Sequence, residues 1–318
     1  MSTAPHTRAY FLVGPTATGK TAVAQYLAEQ RQAEILSADS MLVYRGMDLG
    51  TAKPTPAERQ RVRYWGIDVV DPVESFNVAR FLNEARRCFE SAAAGGRPVI
   101  VAGGTGLYIK ALLTGLDELP DVAPGVRAKW QEVFEREGVA GLRHALEARS
   151  PEWIAALPES DHANSRRLIR ALELLDMGRT TPPRSWAARM SVTPITGLEI
   201  PRDRLVARIE TRVREMYAAG LLEEVRSLLE GPWDPAGTAA QAIGYAEAIA
   251  CIRGEVAEAK AIQLTIQRTR QLAKRQMTWF RHQTNVSWIH IEPSLSLDEM
   301  AARVSADWDA SGPVAVQG

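Results

Sequence analysis

The chain has almost no excess charge of either sign. Its 38 lysines and arginines balance 38 aspartates and glutamates over 318 residues. No overall field therefore draws it to a polyanion, and any nucleic-acid affinity has to come from a local patch. Cysteine is nearly absent: Cys88 and Cys251 stand far apart and match no metal-ligand or redox spacing. They read as small buried hydrophobes in a reducing compartment. No apolar run could span a bilayer, and the opening MSTAPHTRAYFLVGPT has too short an apolar stretch for a signal peptide. A cytoplasmic protein without a membrane partner is expected. Repeats and low-complexity segments are missing too. What is present, 46% hydrophobic and 24% charged residues, is ordinary globular composition, at a length that suits one large domain carrying an insertion.

AYFLVG, AEILSAD and RPVIVAGG read as short apolar strands, each leading to a helical stretch (KTAVAQYLAEQ, NVARFLNEARRCFESAAAGG, TGLYIKALLTG). Strands alternating with helices predict an α/β core in which a parallel sheet is covered on both faces. After LDELPDVAPG the texture becomes all-helical with proline-rich loops, and ITGLEIP then returns as a strand. The expected organisation is a P-loop NTPase-like core over 1–119, a helical insertion over 120–190, and the rest of the core over 191–318. Long helices run to about residue 282, and VSWIHIEP is read as the last strand.

GPTATGKT (14–21) fits G-x-x-x-x-G-K-[ST] at every fixed position, between a strand and a helix. Gly14 and Gly19 let the backbone wrap closely, and the amides of Pro15-Thr16-Ala17-Thr18 and their neighbours, together with the helix N-terminus, favour an anion. Lys20 reaches phosphate as a point charge, and the Thr21 hydroxyl can ligate Mg²⁺. This motif is shared with ATP-binding proteins, yet by itself it specifies polyphosphate plus metal, not a nucleotide. An NTPase would also want an acid closing another strand. Asp39 ends the second strand, while the third ends in glycines and Thr105. Asp39 could be a turn cap; at the carboxyl end of a parallel strand it is equally well placed as a general base.

DSMLVYRGMDLGTAKP (39–54), VAGGTGLYIKALL (101–113), RRLIRALELL (166–175), RIETRVREMYAAGLLEEV (208–225), QAIGYAE (241–247) and KRQMTWFR (274–281) follow one another in fixed order. The set strongly resembles the tRNA dimethylallyltransferase (tRNA isopentenyltransferase) family over about residues 8 to 310. GTAKP and KRQMTWFR are the specific parts. The resemblance implies transfer of a dimethylallyl group from dimethylallyl diphosphate to the exocyclic amine of the adenosine 3′ of the tRNA anticodon. Mg²⁺ assists, the base is flipped, and no ATP is hydrolysed. It implies that residues 14–21 hold the diphosphate, Asp39 is the base, Thr105 lies beside the donor's bridging oxygen, and Arg212, with Arg208, contacts diphosphate. Charge pattern alone leaves Arg208 and Arg212 as a solvated pair among Glu210 and Glu215.

For the acceptor, the resemblance points to Asp39, Thr105 and the base-pocket residues Ser40, Met41 and Leu42. It adds Arg127, Arg166, Arg167 and Arg170 of the insertion, Gln241, Ile243, Gly244 and Tyr245, and Lys274, Arg275, Gln276, Trp279 and Arg281. The stretch 266–282 holds five Arg or Lys and no acid. Arg270, Lys274 and Arg281 form one helical stripe, flanked by Arg268 and Arg275, which favours phosphate contacts in a chain of zero net charge. Trp279 reads as a core side chain. One departure stands out: where the family carries HPND, this chain has DHAN, with Asp161 at the histidine position and Asn164 at the aspartate. Asn164 should still cap its helix. Two rival readings are a P-loop kinase or NTPase for a small molecule, and a prenyltransferase for free adenine nucleotides. The insertion and the basic C-terminal helix argue instead for a large polyanion, bound by a monomer.

Overall fold

The computed structural model describes residues 7–115, 124–183, 193–234, 237–292 and 294–317. These fall into two compact units, one formed by Met1–Leu113 with Met190–Gly318 and the other by Thr114–Arg189.

The first unit is built on a sheet of β1 (Arg8–Val13), β2 (Glu34–Ala38), β3 (Tyr64–Trp65), β4 (Val99–Gly103), β5 (Ile195–Glu199) and β6 (Val286–His290) in the order β3-β2-β4-β1-β5-β6. All neighbours along this path are parallel. The central strands are buried on both faces, which is why they read as continuous apolar runs. One further strand lies off this path. A strand unforeseen in the sequence, β7 (Val314–Ala315), pairs antiparallel with the start of β1.

Helices α1 (Lys20–Arg31), α2 (Pro56–Arg61), α3 (Val78–Ala94) and α4 (Gly106–Thr114) accompany the first four strands. Beyond residue 193 come α8 (Arg202–Ala218), α9 (Leu221–Glu230), α10 (Tyr245–Ile252), α11 (Glu258–Gln283) and α12 (Leu297–Ser311). One apolar cluster seats α3, α4 and Phe280 on one face of the sheet; another packs α1 and α12, with Trp308, on the other. A third joins α8, α9, α10 and α11 to the loop after β2 through Val43, Tyr44 and Met47.

The second unit contains α5 (Pro124–Arg149), α6 (Pro151–Ala156) and α7 (Ser165–Asp176), with α5 bent at Gly138. Trp130, Leu142, Leu146, Trp153, Leu168 and Leu172 form its own core. Asp176 ties it at the surface: it accepts from the Trp130 indole at 2.7 Å and pairs with Lys129 and Arg149. Those three partners hold its carboxyl below the usual range, against the opposing effect of burial.

Candidate active site

The parallel register brings three chain segments to one edge of the sheet. Val13 and Ala38 both pair with Gly103, so the residues that follow (Gly14, Asp39 and Gly104) leave the strands side by side. From here β1 connects outward toward β2, whereas β5 connects the other way toward β6. This is a topological switch point, the place where open α/β sheets form a ligand crevice.

The phosphate loop closes on itself. The Thr18 hydroxyl donates to the Pro15 carbonyl at 2.9 Å, and the Lys20 ammonium donates to the same carbonyl at 2.5 Å. Gly19 takes φ +96° at the N-cap of α1, a left-handed conformation that suits glycine. Lys20 is buried. Burial pushes its pKa down to about 7; the neighbouring Asp39 carboxylate pulls it up and the Arg212 guanidinium pushes it down further. Arg208 and Arg212 are not a solvated pair. Arg208 reaches the Thr18 carbonyl at 3.3 Å, and Arg212 reaches the Thr16 hydroxyl at 3.4 Å and the Thr51 carbonyl at 3.5 Å. Burial lowers the Arg212 pKa while Asp39 supports its charge. Lys20 and Arg212 thus share one carboxylate, leaving a positive excess beside the loop.

Asp39 and Thr105 are brought together by the backbone. Thr105 N–H donates to the Ala38 carbonyl at 3.0 Å, and the Thr105 hydroxyl accepts from Ser40 N–H at 3.0 Å. Asp39 receives Met41 N–H at 2.9 Å on one oxygen. Among the described residues its other oxygen has no hydrogen-bond donor, so it is open to a donor from a ligand. The sequence missed Tyr108, buried and stacked on Phe81. Its hydroxyl is pushed above the ordinary phenol range first by burial, then by Asp39.

GTAKP, used in the sequence only as a fingerprint, has a physical reason. The Lys53 ammonium is buried and donates to the Tyr44 carbonyl at 2.5 Å, Asp48 at 2.7 Å and Asp68 at 2.6 Å. Burial works against the Asp68 charge, but Lys53 and Arg59 outweigh it and hold its carboxyl low. This knot fixes the loop that carries Ser40, Met41 and Leu42 and presents the Thr51 carbonyl to Arg212. The same loop is held from outside by Glu224, which accepts from Asp48 N–H, Leu49 N–H and the Tyr245 hydroxyl.

Several residues assigned to the acceptor turn out to be committed elsewhere. Tyr245 is fully buried with its hydroxyl on Glu224, so its side chain supports the GTAKP loop and does not face solvent. Leu42 is also buried. Gly244 N–H donates to Glu247, which pairs with Arg268, and Arg268 also reaches the Gln241 carbonyl. Arg268, though its side chain is 41% exposed, is therefore tied to Glu247 rather than part of an unpaired basic face. Ile243, beside them, is half-buried. On α11, Lys274 and Arg275 are exposed; Arg281 pairs with Glu199 at 3.1 Å. Trp279 packs against the core cluster, and Gln276 turns inward onto the phosphate loop.

Within the insertion unit the arginines meet acids. Glu173, inaccessible to solvent, lies 3.6 Å from Arg127 and 3.2 Å from Arg170. Asn164 caps α7 by accepting Arg167 N–H, and Asp161 pairs with the Arg167 side chain at 3.5 Å. Arg166 is exposed.

Among the described residues no three His, Cys, Asp or Glu side chains converge as a metal-binding cluster. The donor at hand is the exposed Thr21 hydroxyl on the first turn of α1. That single hard oxygen fits Mg²⁺, which takes most of its ligands from phosphate and water.

A glycine-rich anion cradle after the first strand of a parallel sheet, at its switch point, defines a P-loop-type phosphate-binding α/β protein. Comparison with known proteins narrows this. The IPP transferase profile matches residues 42–283, and the isopentenyl transferase profile matches residues 7–70. The tRNA dimethylallyltransferase 2 of Syntrophus aciditrophicus is 42% identical over 286 residues, 88% of this chain and 91% of that protein. The crystal structure of the Bacillus halodurans tRNA isopentenylpyrophosphate transferase superposes with a TM-score of 0.67 at 33% identity, covering 96% of this chain and 98% of that one. A eukaryotic dimethylallyltransferase acting on tRNA shares the fold, with a TM-score of 0.74 at 22% identity over 96% of this chain and 80% of the other. The chain belongs to the IPP transferase family.

Proposed function

We propose that the protein transfers a dimethylallyl group from dimethylallyl diphosphate to the exocyclic amine of the adenosine adjacent to the tRNA anticodon, releasing diphosphate. The observation that carries this reading is the meeting of a free carboxylate oxygen on Asp39, the Thr105 hydroxyl and an anion cradle with uncompensated positive charge. Family membership supplies the substrates. Residues 14–21 bind the diphosphate. As the carbon–oxygen bond breaks, the electron pair stays with diphosphate, and Lys20, Arg208 and Arg212 stabilise the growing charge. The Thr105 hydroxyl donates toward the bridging oxygen. The adenine amine attacks the allylic carbon, and Asp39 accepts its proton. The Thr21 hydroxyl would help hold Mg²⁺, which would supply further charge stabilisation to the leaving group. Ser40 and Met41, which follow Asp39, line the acceptor base, and the exposed Lys274, Arg275 and Arg166 supply phosphate contacts.

Incubation with labelled dimethylallyl diphosphate, Mg²⁺ and unmodified tRNA, followed by digestion to nucleosides, should give labelled N6-dimethylallyladenosine. Label in free adenine nucleotides but not in tRNA would refute the acceptor. Phosphate transfer from ATP without prenyl transfer would refute the reaction.

A further inference from the structure

Helix α11 does more than present a basic face. The stretch Gly103-Gly104-Thr105-Gly106 lies directly beneath it. A Cβ on Gly104 would strike the Gln276 carboxamide, and one on Gly106 would strike the Trp279 indole. The glycines on either side of Thr105 are therefore the spaces into which two α11 side chains fit. Lys110 of α4 adds a hydrogen bond to Gln283 at 3.2 Å, and Phe280 enters the same core as Tyr108 and Ile109.

Gln276 uses both ends of its carboxamide. Its Oε1 accepts Thr16 N–H from the phosphate loop at 2.9 Å, and its Nε2 donates to the Gly104 carbonyl at 3.1 Å. A donor and an acceptor on one short, uncharged group are what a carboxamide offers. A continuous chain of contacts results: phosphate loop, Gln276, Gly104, then Thr105, whose hydroxyl accepts from Ser40 beside Asp39. Two residues before it and one residue before it, Lys274 and Arg275 project to solvent, and among the described residues neither has an ion-pair partner. At about 100° per residue, Lys274 lies roughly opposite Gln276 around the helix. One rigid element thus has its inner side on the donor cradle and its outer side open to a polyanion.

We propose that Gln276 is a positioning residue, not an RNA contact. It fixes the spacing between the phosphate loop and Thr105, and it links that spacing to RNA held on the outer face of α11. The proposal rests on reading the loop as the diphosphate site. By reciprocity, RNA on Lys274 and Arg275 tightens diphosphate binding, and diphosphate tightens RNA binding by the same factor.

The test is calorimetric binding of inorganic diphosphate with Mg²⁺, with and without an unmodified anticodon stem-loop. Wild type is compared with Gln276→Met, which keeps length and removes both bonds, and Gln276→Glu, which keeps the Thr16 acceptor and loses the Gly104 donor. In wild type the stem-loop should tighten diphosphate several-fold. Gln276→Met should weaken diphosphate about tenfold, abolish the effect of the stem-loop, and leave stem-loop affinity without diphosphate within about twofold. Gln276→Glu should lose the same coupling and weaken diphosphate further through its added negative charge, while a melting temperature of the methionine variant close to wild type separates positioning from a folding defect. Stem-loop affinity falling as far as diphosphate affinity would make Gln276 an RNA contact and overturn the proposal. So would diphosphate affinity that ignores both substitutions. Wild type binding no diphosphate at all would overturn the donor-site reading itself, a result visible without any variant.

Discussion

The cations beside the phosphate loop and the cations of the insertion unit look alike in sequence, and the structure treats them in opposite ways. Lys20 and Arg212 are drawn inward with only Asp39 between them, and burial lowers both pKa values. Arg127 and Arg170 share the buried Glu173, and Arg167 has Asp161. The first set carries desolvated positive charge that an anion would relieve. The second has the same two cations to one carboxylate at Glu173, but its arginines keep contact with water, the Arg127 side chain being 65% exposed. An anion site is thus marked less by the number of basic residues than by their burial, which leaves the excess charge without water to solvate it.

The comparison breaks most visibly at the acid in the cradle. Asp39→Ala should lower turnover by about 10²–10⁴-fold, the range of general acid–base catalysis, while tRNA affinity changes little. It also leaves Lys20 and Arg212 with no counter-charge, so diphosphate affinity should hold or rise. Parallel losses in turnover and tRNA affinity would show that Asp39 is a binding group instead. Single-turnover kinetics beside equilibrium binding separates the two.

A smaller effect follows from Lys20 and pH. Its pKa is about 7 in the folded protein against 10.5 for the ordinary lysine. Between these values the unfolded chain holds the extra proton, so this group makes the donor-free protein more stable as pH rises from 7 to 10.5. Diphosphate favours the charged ammonium and raises the folded pKa, so donor affinity should fall as pH rises above 7, approaching tenfold per pH unit if Lys20 dominates. Calorimetry between pH 6 and 9 checks the slope, and Lys20→Met should remove this component. A slope unchanged in that variant would assign the titration to another group.

The contrast between the two sets of cations was only half legible in the sequence. The phosphate loop, Asp39 and Thr105 could be read because their spacing is set by backbone geometry: a strand end, a tight loop and a helix start. Gln276 reads with the RNA contacts because it stands among basic residues, and nothing local says that a neutral amide on a charged helix turns inward. Its signal lay 172 residues away in the paired glycines around Thr105. The inward turn of Tyr245 is hidden for the same reason, since its partner Glu224 comes from another helix. The short β3 and β7 leave no mark in the sequence because two residues carry no periodicity, and α12 is masked by the proline- and serine-rich loop before its first turn. Glu173 was visible within RRLIRALE, but one helix cannot reveal that its carboxylate is enclosed.

On the open side of α11 the expected effect is smaller again. Lys274→Ala with Arg275→Ala should weaken tRNA about five- to tenfold at physiological salt and reduce the slope of log affinity against log salt by about 1.4 to 1.8. Diphosphate affinity without RNA should stay as in wild type. An unchanged salt slope would take this face out of the interface and leave the arginines of the insertion as the main phosphate contacts.

The insertion offers the smallest and most discriminating change. Glu173→Gln keeps the shape of the side chain and removes the charge that Arg127 and Arg170 share. Because Glu173 is inaccessible and its Oε1 lacks a hydrogen bond, the carboxylate bears a desolvation cost that the neutral amide lessens. Lost attraction to two partly exposed arginines offsets that gain, so stability should fall by no more than about 1 kcal/mol. Affinity for tRNA should move the other way. Two guanidinium groups freed of their internal anion become stronger partners for phosphate, giving about two- to threefold tighter binding and a steeper salt dependence, with turnover at saturating tRNA unchanged. Salt-dependent binding isotherms of this variant against wild type decide the matter. Tighter, steeper binding would place Arg127 and Arg170 on RNA with Glu173 restraining them. Identical isotherms would mean that these arginines serve the insertion's own stability, and that the charged pairs there are neutral by design of the fold and not held in reserve for a ligand.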